Sequence, residues 1–141
     1  MSADDLLLDI YLEVEANLLG RGFRCEACGQ CCDFVRNDYR LYASRLESDL
    51  VVRHTGRQPE LVDGRCCFQD ASGRCTIHHW RPLGCRTYFC SKAAGNEPEQ
   101  RHAFESIHEN ALRRIRELTE QFGMEWEYGR FFRSRPNPRP K

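Results

Sequence analysis

Residues 25–32 read CEACGQCC, four cysteines in eight positions with the last two adjacent. Three chemistries use sulfurs at that density: disulfide staples, a closed zinc knuckle, or an iron–sulfur cluster. The whole chain holds nine cysteines in 141 residues. An odd count leaves one sulfur over in any all-disulfide scheme. The N-terminal stretch MSADDLLLDIYLEVEANLLG is acidic and lacks a basic start and a small-residue cleavage site, which argues against a secretory signal peptide. The expectation is a cytoplasmic, reducing setting, where thiols serve as metal ligands or redox groups before they serve as staples.

Spacing narrows the choice. Two cysteines separated by two residues can turn both sulfurs onto one ion. Cys25, Cys28 and Cys31 repeat that spacing twice, matching the first three ligands of a bacterial ferredoxin run, with Cys32 too early for its fourth. Neighbouring residues in extended backbone point to opposite sides, so Cys31 and Cys32 are expected to face two different sites, or one of them is spare. Downstream lie Cys66, Cys67, Cys75, Cys85 and Cys90, with His78 and His79 between them. The supply suits two four-ligand sites with one sulfur over, so two metal centres or one polynuclear cluster fit better than a single finger. Thiolate-rich centres carry net negative charge. Arg65, Arg74, Arg81 and Arg86 share the segment, and Arg81 and Arg86 are candidates to donate hydrogen bonds to the ligands.

Composition sets the bounds. A chain this long buries roughly two-thirds of its unfolded surface and needs no staple merely to fold. With 40% hydrophobic and 30% charged residues it is an ordinary globular composition, and 21 basic against 21 acidic residues give no global pull toward nucleic acid or anionic membrane. An apolar run such as Leu6-Leu7-Leu8 is far short of the ~20 residues a membrane-crossing helix needs.

Helices are expected on both flanks. Ser2 and Asp5 form a capping-box pair before Leu6, Leu7, Ile10, Val14 and Leu18 at helical spacing, with Gly20 and Gly22 as the stop; the spacing predicts a helix over 3–19. Ser44 and Glu47 form a second box, opening a helix that ends before Gly56. Asn96 with Glu99 is expected to cap a long helix with an apolar stripe of Phe104, Ile107, Ala111, Ile115, Leu118 and Phe122, closed by Gly123. Between the flanks, DFVRNDYRLYA suits one or two short strands. ELVDGRCCFQDASGRC reads as a hairpin with an Asp63-Gly64 turn and a further turn at Ser72-Gly73, while CTIHHWRPLGCRTYFC is too crowded for a long regular element. Trp126, Tyr128, Phe131 and Phe132 are read as a packed return segment closing the core, in preference to a nucleic-acid stacking platform. His54, His102 and His108 are read as solvated. The basic, proline-rich residues 134–141 are expected to be a disordered tail after a single domain spanning 1–133.

Taken in order, CEACGQCC, CCFQDASGRC and CTIHHWRPLGCRTYFC resemble the CxxCxxCC family of zinc- or iron-chelating proteins, related to the cysteine region of a flagellin lysine methylase. The family's second half reads C-x-F-L, a turn, C-x-I-Y, two residues, R-P-x-x-C-R and a closing cysteine. Cys66, Phe68, Cys75, Ile77, Arg81, Pro82, Cys85, Arg86 and Cys90 fall on that pattern, while Gln69 replaces its leucine and His78 its tyrosine. The resemblance implies eight metal ligands: Cys25, Cys28, Cys31, Cys32, Cys66, Cys75, Cys85 and Cys90. Cys67 falls outside the set and is expected to be a packed or reactive thiol, and His78 and His79 are expected not to be ligands. No glycine-rich loop for S-adenosylmethionine is present.

The reading is a small α+β domain whose cysteine-rich loop-and-hairpin middle is flanked by N- and C-terminal helices. The doubled C-x2-C run and the number of thiolates favour an iron–sulfur cluster, such as a four-iron cluster, in a redox or electron-transfer role or supporting a modification reaction. The alternative is a structural module with two four-cysteine Zn2+ sites presenting its helices to a protein. A third reading, an enzyme, keeps an open metal position with Cys67 or His78 as the adaptable ligand. The expected partner is an unspecified protein or redox partner, with no membrane and no nucleic acid.

Overall fold

The computed structural model describes residues 2–22, 40–87 and 98–132. Helix α1 spans Ala3–Leu19. The Ser2 Oγ accepts from the Asp5 amide at 3.1 Å, and the Asp5 carboxylate accepts from the Ser2 amide at 3.2 Å, so the expected capping box forms. Strand β1 (Tyr42–Ser44) runs straight into α2 (Arg45–Thr55), which opens on the second box. Gly56 ends α2 with φ of 68°, a left-handed conformation that glycine adopts without a side-chain clash, and donates to the Val52 carbonyl at 2.7 Å.

Strands β2 (Leu61–Val62) and β3 (Arg65–Cys66) form the predicted hairpin, pairing Leu61 with Cys66 and Val62 with Arg65. Asp63 and Gly64 both have positive φ, 52° and 79°, which is what a two-residue turn matched to strand twist requires. A 3-10 turn over His78–Trp80 and the short helix α3 (Leu83–Thr87) follow. Helix α4 is described from Pro98 to Gln121, with Gly123 at φ 72° just beyond it; the proposed cap Asn96 lies outside the described residues. Finally β4 (Tyr128–Arg130) returns to pair antiparallel with β1, Tyr42 opposite Arg130 and Ser44 opposite Tyr128. The fold is α+β, helices at both ends and a hairpin between.

Two apolar clusters hold these elements. In the first, Leu7, Ile10, Tyr11, Val14 and Leu18 of α1 meet Phe104, Ala111, Ile115 and Leu118 of α4, with Leu46 and Leu50 of α2 and Leu83 of α3. In the second, Leu41 and Ala43, Val51 on the other side of α2, Cys66, Phe68, Ile77, Phe131 and Phe132 pack together. Trp80 packs against both and stacks on His54 at 4.4 Å between ring centroids. Gly84 sits where the two halves join. A Cβ there would lie 2.6 Å from Leu41 Cδ1, so only glycine lets α3 approach the residue before β1 this closely.

Three expectations need correction. His108 is buried, because four residues after Phe104 it falls on the inward stripe of α4. Phe122, at the helix end, is 42% exposed. The return segment is split: Phe131 and Phe132 enter the second cluster and Trp126 packs against the first, whereas Tyr128 is exposed, stacked on Tyr42 and Trp126. All three positions of β4 are exposed, and burial resumes where the strand ends and Phe131 and Phe132 reach the second cluster. No helix among the described residues is long and apolar enough to cross a membrane.

Candidate metal centre

All four described cysteines meet the second cluster: Cys66 belongs to its buried set, and Cys67, Cys75 and Cys85 pack against it. The elements that place them follow from local sequence. Cys66 ends β3, fixed by its pairing with Leu61. Its sulfur accepts from the Phe68 amide at 3.4 Å, and the Cys67 sulfur accepts from the Glu60 amide at 3.4 Å. Because the strand ends at Cys66 and a turn begins at Cys67, the two adjacent thiols share a hydrogen bond. That bond, reinforced by burial, pushes the Cys67 thiol well above its ordinary pKa.

Cys75 is set by a compact turn. Asp70 accepts at Oδ1 from the Ser72 amide, the Ser72 hydroxyl and the Arg74 amide, while its own amide donates to the Arg74 carbonyl at 2.9 Å. Gln69 donates from its side chain to the Gly73 carbonyl at 2.7 Å and pairs in a bridge with Cys75. The amide of Gln69 thus ties the turn that brings Cys75 back toward β3. Ile77, buried at 3%, then anchors the chain that follows.

Cys85 rides on α3, whose N-terminus is held by a buried carboxylate. Glu47, 1% exposed, accepts from the Leu83 amide at 2.7 Å, the Tyr11 hydroxyl at 2.9 Å, and both the amide and hydroxyl of Ser44 at 2.9 Å. Its cap role at α2 is therefore only part of its work; it also fixes α1 and α3. Burial first, and then the Glu47 charge, hold the Tyr11 phenol protonated.

Arg81 and Arg86 are 4% and 3% exposed. Arg81 donates to the carbonyls of His78 at 3.0 Å and Cys85 at 3.2 Å. Arg86 donates to the carbonyls of Arg81 at 3.0 Å and His79 at 2.8 Å, and its guanidinium lies 4.1 Å from the Tyr11 ring centre. Both reach the same oxygen of Glu15, which comes in from α1. These bonds clamp α3, which carries Cys85, to the turn before it and to α1. Burial, then the neighbouring Arg81 cation, lower the Arg86 pKa, though a guanidinium remains charged. Arg86 also lies close enough to Cys85 to interact with it electrostatically.

His108 closes the far side of α3. Its Nδ1 lies 2.5 Å from the Thr87 hydroxyl, which also lies 3.1 Å from the Leu83 carbonyl. Burial depresses its pKa to about 4. Sequence reasoning missed both Glu47 and His108 as buried polar joints. For His108 the signal was there, in its four-residue step from Phe104.

Cys25, Cys28, Cys31, Cys32 and Cys90 lie outside the described residues. Among the described residues no three of the His, Cys, Asp and Glu side chains form a group that could hold a metal. The donor chemistry nevertheless fits a thiophilic ion: sulfurs gathered on one apolar cluster, with Cys66 receiving a backbone N–H bond of the kind that stabilises metal thiolates. Residues 24–110, more than half of the chain, match a family model named CxxCxxCC, described as a "putative zinc- or iron-chelating domain". That description covers both cofactor options, Zn2+ and an iron–sulfur cluster. No curated protein and no solved structure matches the chain.

Proposed function

The chain belongs to the CxxCxxCC family, and from that premise we propose that it is a cytoplasmic protein carrying an iron–sulfur cluster. Its role would be redox or electron transfer, or support of a modification reaction, with an unspecified protein as redox partner. Cys66, Cys75 and Cys85, together with Cys25, Cys28, Cys31, Cys32 and Cys90, would hold the metal, and the cluster would supply one-electron chemistry. The observation that carries this reading is the packing of every described cysteine against one apolar cluster. Arg86, buried beside Cys85, supports it by offsetting thiolate charge. Iron is preferred to zinc because of the doubled C-x2-C run and the number of thiolates.

A structural zinc module is the second reading. The small size of the cysteine-bearing cluster favours it, since closed zinc sites contribute directly to folding. Metal analysis with the visible spectrum of protein purified without air separates the two. Iron with matching acid-labile sulfide and a broad charge-transfer band is expected. About two zinc ions and no colour would replace the cluster by the structural reading, and protein free of both metals would sink both. Cys75→Ser should lower bound metal, whereas Cys67→Ser should leave it nearly unchanged.

A further inference from the structure

Among the described residues, Nε2 of His78 is the buried side-chain nitrogen or oxygen with no hydrogen-bond partner. Leaving a buried nitrogen unsatisfied is costly, and a bound ion or water is one of the explanations such an atom calls for in a native protein. His78 is not loosely held. Ile77 before it is 3% exposed, the Trp80 amide donates to the Ile77 carbonyl at 2.8 Å, and the His78 carbonyl accepts from Arg81 at 3.0 Å. The His79 ring stands edge-on to the His78 ring at 6.0 Å. The backbone is fixed on both sides, so the imidazole is presented from a rigid turn.

Sequence spacing supplies an independent pointer. Cys75-Thr76-Ile77-His78 has the two-residue separation of Cys25 to Cys28 and of Cys28 to Cys31, with an imidazole in place of the second thiolate. Imidazole nitrogen is a good donor to both zinc and iron. We propose that His78 Nε2 is a ligand of the metal held by Cys75, so that the centre in this chain is mixed thiolate and imidazole. The proposal rests on the metal-binding reading above. It departs from the eight-cysteine ligand set, because His78 stands where the family pattern has tyrosine. A neutral imidazole in place of a thiolate leaves the centre one charge less negative. For an iron–sulfur cluster that raises the reduction potential.

X-ray absorption at the edge of the bound metal tests this on the full chain as purified. The wild type should show a nitrogen shell at about 2.0–2.1 Å, with the outer-shell scattering of an imidazole ring, beside sulfur at about 2.3 Å. That nitrogen shell should vanish in His78→Ala and persist in His79→Ala. His78→Phe, which keeps the ring volume, should also lack it, and it guards against a loss caused by collapse of the turn. A sulfur-only shell in the wild type, or a nitrogen shell that survives both His78 substitutions, overturns the ligand assignment while leaving metal binding intact. Protein that carries no metal at all overturns the metal reading, and this assignment with it.

Discussion

The two apolar clusters are built on opposite terms. The helical cluster joins seventeen-residue α1 to the described twenty-four residues of α4 through leucine, isoleucine and phenylalanine side chains, and the Tyr11 hydroxyl at its edge donates to Glu47. The second cluster draws on strands of two and three residues, a 3-10 turn and the edge of α2, and all four described cysteines lie in it or against it. Strands that short do not stand alone. One half is therefore closed by burial, and the other is arranged so that cross-linking through sulfur can close it.

The sharpest way to break that contrast is at Glu47, which ties α1, α2 and α3 together. Glu47→Ala leaves the Tyr11 hydroxyl and the Leu83 and Ser44 amides without their acceptor, which should cost about 3–5 kcal/mol. Urea unfolding should show a similar loss with and without metal. A loss confined to the metal-loaded form would mean that the helical half depends on the centre.

Acid tests the same joint from α4. The folded pKa of His108 lies near 4, below the ordinary 6.5, so between those values the unfolded chain binds the extra proton and stability falls as pH falls. The loss should reach roughly 3 kcal/mol by pH 4 and be absent above pH 6.5. Unfolding of metal-free protein across pH, compared with His108→Gln, checks it: the substitution should flatten the slope in that window, and an unchanged slope would mean that His108 protonates freely in the fold. The smallest expected effect is at the seam. Gly84→Ala must displace the buried Leu41 side chain, at a cost of about 1–2 kcal/mol, seen as a lowered unfolding midpoint.

What could be read from the sequence was local. Both capping boxes, the Asp63-Gly64 turn and the stops at Gly56 and Gly123 depend on residues within one turn of each other, and each forms as read. What escaped was long-range. Nothing near Glu47 announces that Tyr11 and Leu83, each thirty-six residues away, will share its carboxylate. Likewise nothing in the sequence announces that Arg81 and Arg86 will bond carbonyls of the surrounding chain and Glu15 of α1, which satisfies the backbone around them. For the metal centre, the spacing of Cys66, Cys75 and Cys85 was legible, while their convergence on one apolar cluster depends on Phe68 and Ile77 packing against Phe131, far along the chain.

The pairing of β1 with β4 makes a ring of the chain between Tyr42 and Arg130. Cys66, Cys75, Cys85 and Cys90 lie inside that ring, and Cys25 to Cys32 precede it. A metal drawing ligands from both sets is thus a second closure on a chain already closed once. The pairing also holds Phe131 and Phe132 in the cluster against which Cys66, Cys75 and Cys85 pack. If the metal draws on those sulfurs, fraying β4 would loosen it without altering a single ligand.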